Sequence, residues 1–148
     1  MKEIPLDQDE NVAVFTPSAV ENLSDFSADN QREFVNRIIT ALESSAISTV
    51  IEKCFKDVDS LQQLRVGDKK RVYCLLIEEV HGYNVLLVLG WSTHRYGRER
   101  GKRERFSRLA ERRANELKSM SASEVDNLVS EDNVFTAESL ERLKQKNL

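Results

Sequence analysis

Apolar residues along this chain change period several times, and each change predicts an element. In NVAVF, residues 11–15, Val12 and Val14 share one side, which reads as a short first strand. Thr16-Pro17 follows, a hydroxyl suited to a helix N-cap and a proline suited to the first helical position. A first helix then turns Ala19, Val20 and Leu23 inward and stops in the stretch Ser24 to Ser27. The second helix, about 28–43, carries the clearest stripe. Phe34, Ile38 and Leu42 recur at i, i+4 and i+8, with Val35 and Ile39 alongside. The short link predicts an antiparallel helical hairpin.

Residues 44–60 fit either a further helical turn or a loop, and Leu61 to Arg65 then reads as a strand. Gly67-Asp68 is a turn, and RVYCLLIE, residues 71–78, is β-rich enough for an interior strand. His81-Gly82 predicts a hairpin into YNVLLVL, residues 83–89. A polar, aromatic and Arg-rich loop covers 90–101. A third long helix, about 102–119, presents Phe106, Leu109, Ala110, Arg113 and Leu117 on one face. Ser121 with Glu124 makes a capping box, and Thr136 before Ala137-Glu138 is another cap, so the tail holds two short amphipathic helices. The resulting order predicts an α+β domain: an N-terminal helical hairpin packed on one face of an antiparallel sheet, a basic C-terminal helix, and a short helical tail. The expected division is a domain at 1–118 and an acidic helical extension at 119–148.

Charge sharpens this picture. The 148 residues carry a net charge of −3, unevenly spread. Residues 1–60 hold 5 basic and 12 acidic side chains, 61–118 hold 14 and 7, and 119–148 hold 3 and 6. A segment of net +7 between acidic flanks suits a polyanion, with a solvated Arg-rich helix face as the plainer reading. From residue 95 to 113 there are nine Lys and Arg against Glu99, Glu104 and Glu111. The pairs Glu104–Arg108 and Glu99–Arg103 stand at i,i+4, the spacing of an ordinary ion-paired helix. No apolar run reaches the roughly 20 residues of a membrane span. The opening MKEIPLDQDENV has acids where a signal peptide has bases, so a cytoplasmic location is expected. Cys54 and Cys74, without CxxC spacing, read as reduced thiols. Two His and two Cys far apart predict no metal site, and no phosphate-binding or dinucleotide glycine motif predicts a cofactor.

Three stretches carry a resemblance. VFTPSAVENLSDFSADNQREFVNRIITALES resembles the opening strand and helical hairpin of the RelE/ParE family of toxin–antitoxin toxins. LQQLRVGDKKRVYCLLIEE resembles its central hairpin, and NVLLVLGWSTHRYG its last core strand, which commonly ends in a His-Arg pair. The likeness covers about residues 11–118. Aligned on Tyr73, Lys70 stands where the family usually has Arg, Lys69 where it often has Tyr, and Arg71 where it is usually apolar. A one-residue shift is the alternative alignment. Family members usually end soon after the His-Arg strand, whereas this chain continues for about fifty residues.

The resemblance implies a metal-independent mRNA endoribonuclease, acting on the ribosome or free of it, with mRNA and a cognate antitoxin as partners and no membrane. Such chemistry needs a base for the 2′-hydroxyl, a cation for the phosphorane and an acid for the leaving oxygen. Family toxins draw these from Lys, Arg, His, Glu and Tyr. The candidates here are Lys70, His94, Arg95, Arg65 and Tyr96, with His94 as the proton shuttle near neutral pH. RNA-backbone contacts fall to Lys69, Arg71, Arg98, Lys102, Arg103, Arg105 and Arg108. Trp91 is either a core aromatic or a platform for a base. Two other readings stand beside the enzyme. One is a non-catalytic binding protein of the same fold, inhibiting a protein target as ParE does or holding RNA without cutting it. The other is an interaction protein unrelated to toxins.

Overall fold

The computed structural model describes the backbone of residues 10–55, 58–93 and 100–147, and the side chains within these ranges except at 53–55, 58–60, 100–102 and 147. The first strand, β1 (Glu10–Phe15), leads into α1 (Pro17–Leu23) and α2 (Ala28–Glu43). A 3₁₀ turn, Ile47–Val50, precedes β2 (Glu52–Phe55) and β3 (Val58–Val66), then β4 (Lys70–Val80) and β5 (Tyr83–Ser92). The chain closes with α3 (Arg100–Lys118), α4 (Ala122–Val129), β6 (Val134–Phe135) and α5 (Ala137–Asn147).

The cap predicted at Thr16 forms, and Ser27 caps the second helix. Thr16 Oγ1 accepts from the Ala19 amide with Pro17 opening α1, and Ser27 Oγ accepts from the Asn30 amide at the start of α2. The α2 stripe of Phe34, Val35, Ile38, Ile39 and Leu42 is buried throughout. The other end of α2 is held from the sheet. Asn11 Nδ2 donates to the Leu42 carbonyl at 2.9 Å, and its own Oδ1 accepts from Asn84 Nδ2 at 3.0 Å. A helix carbonyl without an intrahelical partner is thereby satisfied.

One six-stranded sheet runs in the order β2-β3-β4-β5-β1-β6. The strands β4 and β5 pair antiparallel across a turn in which His81 (φ 47°) and Gly82 (φ 89°) are both left-handed, the two-residue geometry that matches strand twist. Two departures from the sequence expectation follow. The sheet is mixed rather than antiparallel, because β1 lies parallel to β5, pairing Val12 with Val85 and Val14 with Leu87. Helices also cover both faces rather than one. Ala13 and Phe15 join the α2 side of the core, and Val12 and Val14 join the opposite side with Ala110, Ala114 and Leu117 of α3. A strand apolar on both sides needs such a two-sided burial, but alternation alone does not specify the direction of its neighbour.

The segment 119–148 is built into these same layers. Val125 of α4 is buried on the α3 side, and Leu140 of α5 on the α2 side. The strand β6, which no sequence pattern announces, pairs with Ala13 and Val14 along the outer edge of β1. Lys144 on α5 donates to Asn36 Oδ1 of α2 at 2.7 Å. No helix among the described residues is long and apolar enough to cross a membrane.

Candidate nucleic-acid interface

The β3–β4 hairpin carries most of the described candidate chemistry, and strand alternation divides it. Val66 pairs with Lys70, and Arg65 with Arg71. Lys70 follows the α2 side, where its ammonium forms an ion pair with Glu33 of α2. Arg65 follows the other side, and its Nε donates to Glu52 Oε2 at 2.7 Å. Lys70 and Arg65 therefore stand on opposite faces of the sheet, each neutralised by a carboxylate. Lys69 is an exposed residue of the connecting turn. His94, Arg95, Tyr96 and Arg98 lie outside the described residues, as does the side chain of Lys102.

Arg71 is placed differently. It lies in a transverse row, Arg65–Arg71–Ser92, across β3, β4 and β5. The next row is Gln63–Tyr73–Gly90, over which Phe106 of α3 closes. Arg71 is 5% exposed and Ser92 1%. Nη1 of Arg71 donates to the Lys70 carbonyl at 2.8 Å, while its Nε finds no acceptor. Gln63 and Arg103 are also buried on this side, and no carboxylate is buried among the described residues. Burying a guanidinium is costly unless its charge and its N–H groups are matched.

Helical spacing builds the second feature. Ala110, Ala114 and Leu117 face the sheet, with Arg103 on the same buried side. Turning about 100° per residue, Arg105, Arg108 and Arg112 fall together on the outward ridge, spread over about 10 Å of axis. All three are exposed, and none takes an ion pair among the described residues. Glu104–Arg108, expected from i,i+4 spacing, is accordingly not a pair. Off the ridge, Arg113 forms an ion pair with Glu116 at 3.1 Å. Arg112 was not singled out by the sequence, although i,i+4 from Arg108 was a signal for it.

Trp91 is a core residue. Its indole Nε1 donates to the Ala19 carbonyl at 2.7 Å, and its ring packs against Phe15 and Phe34. It offers no face to a base. Among the described residues, no three His, Cys, Asp or Glu side chains gather within reach of a metal ion.

Compared with protein-family models, with curated proteins and with solved structures, the chain matches none.

Proposed function

We propose that this protein binds RNA through the outward arginine ridge of α3, as a non-catalytic relative of the RelE/ParE toxins. The observation that carries this is the set Arg105, Arg108 and Arg112: three exposed guanidiniums in line on one helix, none of them in an ion pair among the described residues. Guanidiniums so presented meet phosphates in pairs of hydrogen bonds and displace counterions from the backbone. The hairpin supports the non-catalytic form, since Lys70 and Arg65 face opposite ways and each is tied to a carboxylate.

The test is a binding titration on single-stranded RNA at several salt concentrations. Changing Arg105, Arg108 and Arg112 together to Gln removes about three phosphate contacts and flattens the slope of log K against log salt by about 2. The loss is the same for unrelated sequences, because phosphates carry no sequence. Changing the ion-paired Arg142 to Gln leaves the slope alone. Binding that is indifferent to salt, or to the triple change, refutes the proposal.

A second reading, the metal-independent mRNA endoribonuclease with an antitoxin partner, is favoured by Arg71. Its buried Nε without an acceptor is the sort of cation a phosphorane needs, and it stands in register with Ser92, just before the His94-Arg95 stretch. Purified protein incubated with mRNA, with and without ribosomes, and mapped for new 5′ ends decides between them. The enzyme gives cuts that survive EDTA and that His94→Ala slows by about 10²–10⁴-fold. Intact RNA at saturating binding leaves the non-catalytic reading alone.

A further inference from the structure

A cleft of about 210 Å³ opens on the α3 side of the sheet, away from the arginine row. Its floor is the carboxyl end of β1 with Leu87 of β5, and its walls are Leu117 of α3, Met120 just after that helix, and Leu128 near the end of α4. The rim is polar, and its charge is lopsided. Arg113 donates to Glu116 at 3.1 Å, so each of those charges is compensated. Asn133 Nδ2 donates to the Phe15 carbonyl at 2.8 Å, which leaves its second N–H and its amide oxygen for a ligand. Glu131 is exposed and takes no ion pair among the described residues. With Arg113 and Glu116 offsetting one another, Glu131 leaves the rim net negative.

We propose that this cleft binds a small organic cation, a primary amine carrying one apolar group of aromatic size. The floor and the rim argue for it separately. A dry cavity of about 150 Å³ holds a benzene ring, so the space here admits a ring and a short ammonium arm. An ammonium offers three donors and no acceptor, the complement of Glu131 and the Asn133 oxygen. A carboxylate of equal size would place its charge against Glu131 with only an already paired guanidinium nearby. Apolar lining with a few convergent polar groups is the ordinary construction of a small-ligand site. The site is independent of RNA binding, since the ridge Arg105–Arg108–Arg112 points outward from the other side of α3.

The experiment is an amide-resolved NMR titration of the full chain with 2-phenylethylamine, and in parallel with 3-phenylpropionate. Saturable shifts centred on Leu87, Leu117 and Leu128 with the amine, and none there with the acid, are expected. Glu131→Gln then weakens the amine by about 2- to 5-fold, the yield of an exposed ion pair. Leu128→Trp fills the cleft and abolishes the shifts. If that variant unfolds, the Glu131→Gln comparison decides by itself. The absence of saturable shifts with the amine, equal binding of the acid, or a Glu131→Gln variant that binds the amine as well as the parent overturns the assignment.

Discussion

At the scale of single residues, the crowding at Gly90 shows how closely α3 sits on the sheet. A Cβ built there would lie 2.3 Å from the Phe106 ring, so only hydrogen fits between strand and helix. Gly90 stands beside a bulge in which Leu89 is the extra residue of β5, between the pairs Cys74–Val88 and Tyr73–Gly90. The ring of Phe106 meets Tyr73 in the same place, with centroids 5.8 Å apart. Gly90→Ala is expected to cost about 1–3 kcal/mol through overpacking, measured as a fall in the urea midpoint at unchanged slope. Combining it with Phe106→Leu should recover much of the loss, because the smaller side chain vacates the clash. A simple sum of the two single effects would show that the contact is not the cause. None of this was legible in the sequence, where Gly90 opened a loop. The apolar run ends at Leu89, whereas the strand continues through Gly90, which is needed there for its lack of a side chain.

At the scale of elements, local signals were read best where they act within a few residues. The capping box of α4 forms on both sides, with Ser121 Oγ accepting from the Glu124 amide at 3.2 Å and the Glu124 carboxylate accepting from the Ser121 amide at 3.1 Å. The backbone and side-chain hydrogen bonds from Ser121 hold the Glu124 carboxyl below the usual carboxylate range. A depressed folded-state value means that its contribution to stability is present above the unfolded pKa. That contribution is lost as pH falls through the folded value. Glu124→Gln should therefore narrow the gap in melting temperature between neutral and acidic solution, and a gap of unchanged size would separate the cap from the acid response. Tyr83 acts at the other end of the scale. Burial, with Asp126 and Glu10 nearby, pushes its phenol up, so its share of stability is full below the unfolded pKa and fades as pH rises through the folded one. The long helix α3 was also anticipated, but its charge pattern was not. Spacing offered Glu104–Arg108, whereas the folded helix leaves Arg108 on an open ridge with Arg105 and Arg112.

For the molecule as a whole, the tail is part of the core. Leu140 is fully buried against the α2 layer, Phe135 packs edge-on against Phe15 with centroids 5.1 Å apart, and β6 covers part of the β1 edge. Leu140→Ala is expected to cost about 2–5 kcal/mol, and removal of 119–148 to leave a chain without a cooperative thermal transition. A truncated chain that melts sharply near the parent temperature would instead make the tail an appendage. The sequence by itself determined the caps, the α2 stripe, the β4–β5 hairpin and the basic surplus of the middle segment, because each rests on contacts or periods spanning a few residues. Tertiary structure alone decided three things: that β1 runs parallel to β5, that helices cover both faces, and that Lys70 and Arg65 are separated by the sheet. The reason is that a strand's period of two tells which residues share a face, but not which layer covers that face or which carboxylate waits there. Glu33 and Glu52 reach Lys70 and Arg65 only once α2 and β2 have packed beside the hairpin.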